Sequence, residues 1–189
     1  MRRLMGVLLS VLAVSTAAQA ESPRSRVADP QVSHPEIAHP EVAQAAEGWA
    51  TYRNARFGTT IDYPANLFEM LPPPDNHDGR SFAARGGTAG FILFAGFNVF
   101  DETIDGLLAA DLSLGGYDTL TYSRQGQGPA GEQWYVLSGL REGDIFYRKV
   151  ILTGDSAVIH TFEISYPAAE KPTFDPVTAR MAESMNTGA

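Results

Sequence analysis

Cysteine is absent from this chain of 189 residues. Disulfide bonds and metal sites built on thiolates are therefore excluded. The same absence removes the thiol that carries the acyl anchor of bacterial lipoproteins, so we expect no lipid anchor. A chain without these covalent supports has to be stabilised by its hydrophobic core, and its length suits one domain of the usual ~100–200 residues.

Basic residues are also scarce, since 14 lysines and arginines stand against 22 aspartates and glutamates. Arg2 and Arg3 lie in a segment that we expect to be cleaved, and without them the net charge of −8 becomes −10. Nucleic acids and anionic membranes are bound by basic surfaces, so neither is an expected partner. The sequence also lacks a glycine-rich phosphate loop, a zinc-binding helix motif and a nucleotide fingerprint, and we expect no cofactor.

Only one apolar run is long, and it occupies residues 4–14 directly after Arg2 and Arg3. The run is shorter than the roughly 20 apolar residues that a membrane-spanning helix needs. It is followed by Ala18-Gln19-Ala20, which has the small-residue pattern of a signal-peptidase site. These features predict a Sec signal peptide over residues 1–20, cleavage after Ala20, and export to the periplasm or the medium.

Residues 21–47 contain a five-residue repeat in which proline recurs in register. Proline removes a backbone donor and blocks both helices and internal strands, so this segment is predicted to be a flexible, extended linker. The histidines His34 and His39 could hold a metal ion together with Glu36 and Glu41. We favour a solvated spacer, because a mobile chain loses conformational entropy when it orders around an ion.

Residues 48–187 are predicted to form one α+β domain. Short turns join consecutive strands, which predicts an antiparallel sheet of about six or seven strands packed with two main helices in an α/β/α sandwich. The strand at 88–98 is apolar on both sides, which predicts a position in the middle of a sheet that is covered on both faces. The predicted strands occupy residues 52–54, 57–63, 67–71, 80–84, 88–98, 118–124, 132–140, 145–153 and 157–166.

Helix signals occur at two places in this domain. The first helix is predicted to be capped by Asp101 and stopped by Gly115, and the last helix to be opened by Asp175-Pro176. Apolar residues at helical spacing predict which faces are buried. These residues are Ile104, Leu107, Leu108 and Leu112 in the first helix, and Val177, Met181 and Met185 in the last.

Three segments resemble the PsbP-like family of exported or lumenal domains. Residues 56–64 (RFGTTIDYP) resemble its opening strand, residues 133–138 (QWYVLS) its aromatic central strand, and residues 174–185 its closing helix. The resemblance covers residues 49–186. It implies an antiparallel sheet between helices and an accessory or binding role without catalysis, and no metal or partner site of the family transfers residue by residue.

Two residues of the predicted sheet are candidate ligand-binding residues. His160 shares a strand face with apolar residues such as Phe162, where a histidine is either a tuned acid–base group or, more commonly, a hydrogen-bonded core residue. Trp134 belongs to a set of aromatic residues that line a ligand groove or, alternatively, fill the faces of the sheet. The other members of that set are Trp49, Tyr52, Tyr135, Phe146 and Tyr147.

A proline-rich loop carries the candidate metal ligands. Asp75, His77 and Asp78 lie within four residues, and carboxylates and imidazole are ligands for divalent ions. Asp, Asn and Gly are equally the residues that a turn requires, so a structural role is the alternative. The signals for a nucleophile are weaker still. The sequence has no G-x-S-x-G motif, and Gly154-Asp155-Ser156 is best explained as a hairpin turn.

These features lead to three hypotheses for function. The favoured one is an exported, non-enzymatic binding or accessory module whose partner is another envelope protein, and it requires an exposed apolar or aromatic patch. The alternative is a periplasmic protein that binds a small ligand or a divalent metal, with a closed pocket near His160 or the His77 loop. A small hydrolase is the third, and it requires a Ser or Thr hydroxyl near one of those histidines.

Export and cleavage can be tested directly. When the full chain is expressed in a bacterium with a Sec pathway, we expect the periplasmic or secreted product to begin at Glu21, as read by N-terminal sequencing. Replacing Ala20 by Arg should leave the precursor uncut, because signal peptidase accepts small residues at this position. An exported product that retains Met1 would contradict the prediction.

Overall fold

The computed structural model describes residues 43–44 and 48–188 of the chain. These include the whole of the predicted domain at 48–187. The predicted signal peptide and most of the predicted linker, including His34 and His39, lie outside the described residues.

The described residues form ten strands, two α-helices and one 3₁₀ turn. Their order along the chain is strands, helix, four strands, helix, as the sequence predicts. The elements are β1 Ala43–Gln44, β2 Trp49–Arg53, β3 Thr60–Pro64, β4 Phe68–Met70, β5 Gly79–Ala84, β6 Gly90–Phe97, α1 Ile104–Leu114, β7 Thr119–Gln127, β8 Gln133–Arg141, β9 Asp144–Leu152, β10 Val158–Pro167, the 3₁₀ turn Ala168–Glu170 and α2 Lys171–Ser184.

Seven of these strands form one antiparallel sheet in the order β4-β5-β6-β10-β9-β8-β7. The remaining strands form a small antiparallel sheet in the order β1-β2-β3. The last strand, β10, lies between β6 and β9 and so joins the two halves of the large sheet. The predicted fold class, an antiparallel sheet of six or seven strands with two main helices, is confirmed.

One face of the large sheet, here called the inner face, packs against β2, β3 and α2. Its core is mostly aromatic: Phe82 and Phe91 stack with their ring centroids 4.1 Å apart, and Phe68 contacts both Phe91 and Phe174 of α2. Aromatic pairs of this kind add about 0.5–1.5 kcal/mol to the free energy gained from burying their area. In a chain without disulfide bonds, this aromatic cluster is a main source of stability for the domain.

The opposite, outer face is covered by α1. The helix places Ile104, Leu107 and Leu108 on a second apolar cluster formed by β8 and β9. That cluster consists of Tyr135, Leu137, Phe146, Val150 and Leu152. The two faces of the sheet are thus buried by different elements, in three layers.

Both helices begin at residues other than those predicted. Thr103, not Asp101, caps α1, because its hydroxyl accepts a hydrogen bond from the Gly106 amide at 3.1 Å. α2 begins at Lys171, so the prediction that Asp175-Pro176 opens it is wrong. Another proline, Pro172, lies in its first turn, where the backbone N–H has no partner within the helix. Pro172 is therefore the residue that indicates the start of α2.

Coverage of the outer face is incomplete, which corrects two further predictions. β6 does lie inside the sheet, and Phe91 and Leu93 are buried on its inner face. Its outer face is not covered, and Ile92 remains 36% exposed. Leu112 is also exposed rather than buried, since the face of α1 that meets the sheet carries Asp111, and Leu112 lies about 100° further around the helix. The outer face of β6 is open because α1 lies over β8 and β9 and leaves β5 and β6 uncovered.

A network of charged side chains fastens α1 to the sheet. The guanidinium of Arg148 on β9 donates to Asp111 of α1 at 2.6 Å and to Glu163 of β10 at 2.7 Å. Arg141 pairs with the other oxygen of Glu163, and the Tyr135 hydroxyl donates to Asp111. The two arginines hold the pKa of Glu163 below its usual value against the opposing effect of burial. The network therefore consists of ionised groups removed largely from solvent.

Removing the central charge of this network should destabilise the domain. We expect Arg148→Met to lower the free energy of unfolding by about 3 kcal/mol, because two carboxylates lose their shared cation in a poorly solvated place. Arg85→Met is the matched control: Arg85 and Glu69 lie 3.6 Å apart with both side chains 54% exposed, and such pairs contribute about 0–1 kcal/mol. Urea unfolding at pH 7 measures both, and equal losses in the two variants would contradict the network's role.

Candidate functional site

A groove on the inner face combines aromatic and charged side chains. α2 packs on β3, β9 and β10, so the inner face of β7 and β8 stays accessible beside it. The resulting cavity has a volume of about 390 Å³. We call it the aromatic groove, and it is lined by Tyr122, Arg124, Trp134, Val136, Tyr147, Lys149, Ala179, Ala182 and Glu183.

Strand register sets the order of side chains on the floor of this groove. Arg124, Val136 and Lys149 stand side by side on β7, β8 and β9. One row away Trp134 lies between Gly126 and Ile151, and in the row on the other side are the two tyrosines of the groove. Because side chains two residues apart share a face, two cations lie between one indole and two phenols.

Lys149 is a cation of the groove whose pKa is shifted by its surroundings. Its Nζ donates a hydrogen bond at 2.7 Å to the carbonyl of Ala182, near the end of α2, where the helix dipole favours positive charge. Burial lowers its pKa, and Glu183 partly opposes this. Burial also raises the pKa of Tyr147 to about 12, so that its hydroxyl stays neutral. The groove thus offers hydrogen-bond donors together with apolar ring surface.

Trp134 extends toward the free edge of the sheet. It pairs with Gly126, and a Cβ built on that glycine would lie 2.3 Å from the indole ring, so only glycine leaves room for it. The guanidinium of Arg124 lies 6.0 Å from the centre of the same ring, at the outer limit of a cation–π contact. The indole is therefore accessible from the β7 side.

The aromatic residues proposed for a groove fall into three groups. Trp134 and Tyr147 line the aromatic groove. Tyr52, Tyr135 and Phe146 are buried in the two core clusters. Trp49 lies elsewhere, with the guanidinium of Arg180 stacked 4.0 Å from its ring centre.

His160 is buried and is not among the residues that line the aromatic groove. It is 1% exposed, and its Nδ1 lies 2.7 Å from the hydroxyl of Thr59, which is itself fully buried. Burial lowers the pKa of His160 to about 4, and its Nε2 has no hydrogen-bond partner among the described residues. The hydroxyl that a hydrolase would need is thus present. The pair is closed off from solvent, and it links β10 to the segment just before β3.

The loop with the candidate metal ligands is organised by its backbone. His77 adopts a positive φ of 53°, and its carbonyl accepts a hydrogen bond from Asn54 at 3.2 Å. The carboxylate of Asp78 accepts one from Asn76 at 2.5 Å, while Asp75 is exposed. Over the whole described range, no three His, Asp or Glu side chains are placed so that they could hold a metal ion. Asp75, His77 and Asp78 are neighbours in sequence without forming such a set.

A second exposed feature was not singled out from the sequence. Phe97, Val99 and Phe100, here called the aromatic tip, are 59%, 73% and 83% exposed where the chain leaves β6. Asn98 between them is buried, and its side chain bonds the carbonyls of Glu102 and Ser156 and the Glu102 amide at 2.9–3.0 Å. The available signal was Asn98 itself, a polar residue that interrupts an apolar run.

The aromatic tip is also supported from the side. Phe57, in the turn before β3, meets Phe97 edge to face with ring centroids 5.2 Å apart. The guanidinium of Arg56 lies over both rings, at 5.0 Å and 5.7 Å. These contacts hold the Phe97 ring and the bonds of Asn98 hold the backbone of the tip, while the apolar side chains remain in solvent.

Comparison with known proteins identifies the fold. No family model and no curated protein sequence matches the chain. Among solved structures, the solution structure of cyanobacterial PsbP (CyanoP) from Synechocystis sp. PCC 6803 is similar, with a TM-score of 0.54 and 16% identity over 74% of this chain and 92% of that one. The chain therefore has a PsbP-like fold, as the resemblance implied. Within the part of the chain that is described, no helix is both long and apolar enough to cross a membrane.

Burial of His160 should make stability depend on pH. Burial lowers the pKa of His160 from 6.5 to about 4 on folding, so the unfolded chain binds more protons between these values and stability falls as pH drops through this window. We expect a loss of about 2 kcal/mol from this residue between pH 7 and pH 5, since one pKa unit corresponds to ~1.4 kcal/mol. His160→Gln should remove that part of the pH dependence, measured by urea unfolding. The exposed His77, replaced by Gln, is the control, and an unchanged pH dependence in His160→Gln would contradict the assignment.

Proposed function

We propose that this protein is an exported, non-enzymatic accessory module that docks on another protein of the bacterial envelope through the aromatic tip. The observation that carries the proposal is the exposure of three large apolar side chains on a rigid support. Single exposed apolar residues are ordinary on a protein surface, whereas a contiguous group calls for a partner.

Energetics supports docking at this place. Burying a phenylalanine or valine side chain in a partner contributes about 1.5–3 kcal/mol. Binding energy in protein interfaces is concentrated in a few such anchors set in pockets. Because Asn98 already holds the backbone of the tip and Phe57 contacts Phe97, less backbone entropy is lost on binding than for a mobile segment. The exposed carboxylates of Asp101 and Glu102 next to it favour an apolar pocket with a basic rim.

Two further observations favour binding over catalysis. Thr59 and His160, which could act as nucleophile and base, are closed off from substrate by burial. The PsbP-like fold is also compatible with an accessory role. Export itself is inferred from residues 1–20 alone.

The small-ligand alternative draws on the aromatic groove. Its volume of about 390 Å³ suits a small molecule, and Arg124 with Lys149 would favour an anionic one. We rank it second because neither His160 nor the His77 loop adjoins a closed pocket among those found in the described residues. His160 lies in the core, and the cavity beside the His77 loop, lined by Pro73, Ile92 and other residues, is an open groove.

The role of the tip can be tested by substitution. We expect Phe100→Ser, in the mature protein, to weaken capture of an envelope partner about 30-fold, since an anchor residue contributes about 2 kcal/mol. Leu114→Ser is the matched control, because Leu114 is equally exposed, at 83%, and lies at the far end of α1, about 16 Å along the helix.

The measurement is affinity capture from envelope extract, followed by binding of the captured protein to each variant. Urea unfolding should show both variants to be as stable as the parent, because both side chains are in solvent. Equal capture by Phe100→Ser and the parent would overturn the assignment of the tip.

A further inference from the structure

β7 is the free edge of the large sheet. Its nine residues, Thr119–Gln127, pair with β8 on one side only. Among the described residues, no backbone hydrogen bond joins β7 to any element other than β8. Every second residue therefore directs its backbone N–H and C=O groups outward, and such an edge is a template for another strand.

The protein protects its two sheet edges differently. The opposite edge strand, β4, has three residues and is followed by three prolines from Pro72 on, which prevents further pairing. β7 is three times as long, has neither proline nor lysine, and carries a single charge, on Arg124. Its register shifts only between Leu120 and Tyr122, so residues 122–127 form a regular edge.

Next to this edge lie the side chains of the aromatic groove. A strand added beside β7 places alternate side chains on the inner face, about 5 Å from their cross-strand neighbours. The neighbour of Arg124 then meets a guanidinium, which favours a carboxylate. The neighbour of Gly126 meets the indole of Trp134, which leans over that glycine toward the edge, and this favours an apolar side chain.

On the outer face of β7 the exposed side chains are uncharged. Ser123, Gln125 and Gln127 point there, and Gln125 bonds Asp105 of α1 at 2.8 Å. An added strand would meet polar groups on this side, suited to threonine or serine. The pattern that the edge selects is thus acidic and apolar residues two positions apart, alternating with small polar ones.

We propose that β7 binds an extended acidic and apolar segment of a partner protein as an eighth strand of the sheet. The proposal deepens the binding function given above but uses another surface. β7 lies four strands from β6, about 19 Å from the strand that leads into the aromatic tip. A second copy of this chain is a poorer occupant, because its own β7 brings an arginine instead of a carboxylate.

The probe is a nine-residue peptide, Thr-Val-Thr-Glu-Thr-Phe-Thr-Val-Thr, labelled with fluorescein and titrated with the mature protein by fluorescence anisotropy. We expect saturable binding that weakens at least tenfold when lysine replaces the glutamate. A peptide N-methylated at alternate residues, which cannot form the ladder, should not bind. Amide exchange should slow at β7 when the unmodified peptide is present.

A charge exchange distinguishes the edge from other basic sites. The Arg124→Glu variant should no longer bind the glutamate peptide and should bind the lysine peptide instead, because the charges of the cross-strand pair are reversed. Arg85→Glu, beside β4 at the other edge, should bind the glutamate peptide as the parent does. Phe100→Ser should also leave peptide binding unchanged, so failure of the tip proposal and failure of this one are separate results.

Three results would overturn the proposal. Equal binding of the N-methylated peptide would mean that the groove takes side chains without strand addition. Equal binding of the glutamate and lysine peptides to the parent would remove the role of Arg124. Sedimentation that shows a dimer of the mature protein, abolished by Arg124→Glu, would assign the edge to a second copy.

Discussion

The guanidinium of Arg148 lies between a carboxylate of α1 and a carboxylate of β10, and much of the structure depends on that contact. Asp111 and Glu163 are both largely removed from solvent, where a carboxylate that loses its cation destabilises the fold. By holding both, Arg148 sets the position of α1 over β8 and β9. That position leaves the outer face of β5 and β6 open and determines where the segment between β6 and α1 has to run.

The candidate binding surfaces lie where the large sheet is not covered. Two helices and a small sheet are too few to cover both faces of seven strands. α2 leaves the inner face of β7 and β8 accessible, which creates the aromatic groove. The aromatic tip lies on the connection from β6 to α1, where Asn98 holds the backbone and the apolar side chains project. The sheet thus carries apolar and charged groups on the surfaces that the helices leave uncovered.

Alternation and turn residues predicted most of the fold. The antiparallel sheet, its approximate number of strands and the two helices follow from local pattern, and strand ends agree within a few residues. The predictions failed where tertiary contacts decide. Thr103 rather than Asp101 caps α1, because the helix begins at Ile104 and the Thr103 hydroxyl reaches the Gly106 amide. Leu112 has helical spacing suited to a core, yet it is exposed because the face of α1 that meets the sheet carries Asp111.

The candidate site shows the same division. Trp134 was recognisable as a candidate from its residue type, whereas Arg124 and Lys149 were not, because they come from different strands and meet only through register. The sequence by itself determined which residues alternate, where strands turn and that no disulfide supports the core, since these are local or compositional properties. Only the tertiary structure decided which face of β6 stays open, which strand is the free edge and which cations flank the indole. Pairing joins residues far apart in the chain, and coverage depends on where each helix comes to rest.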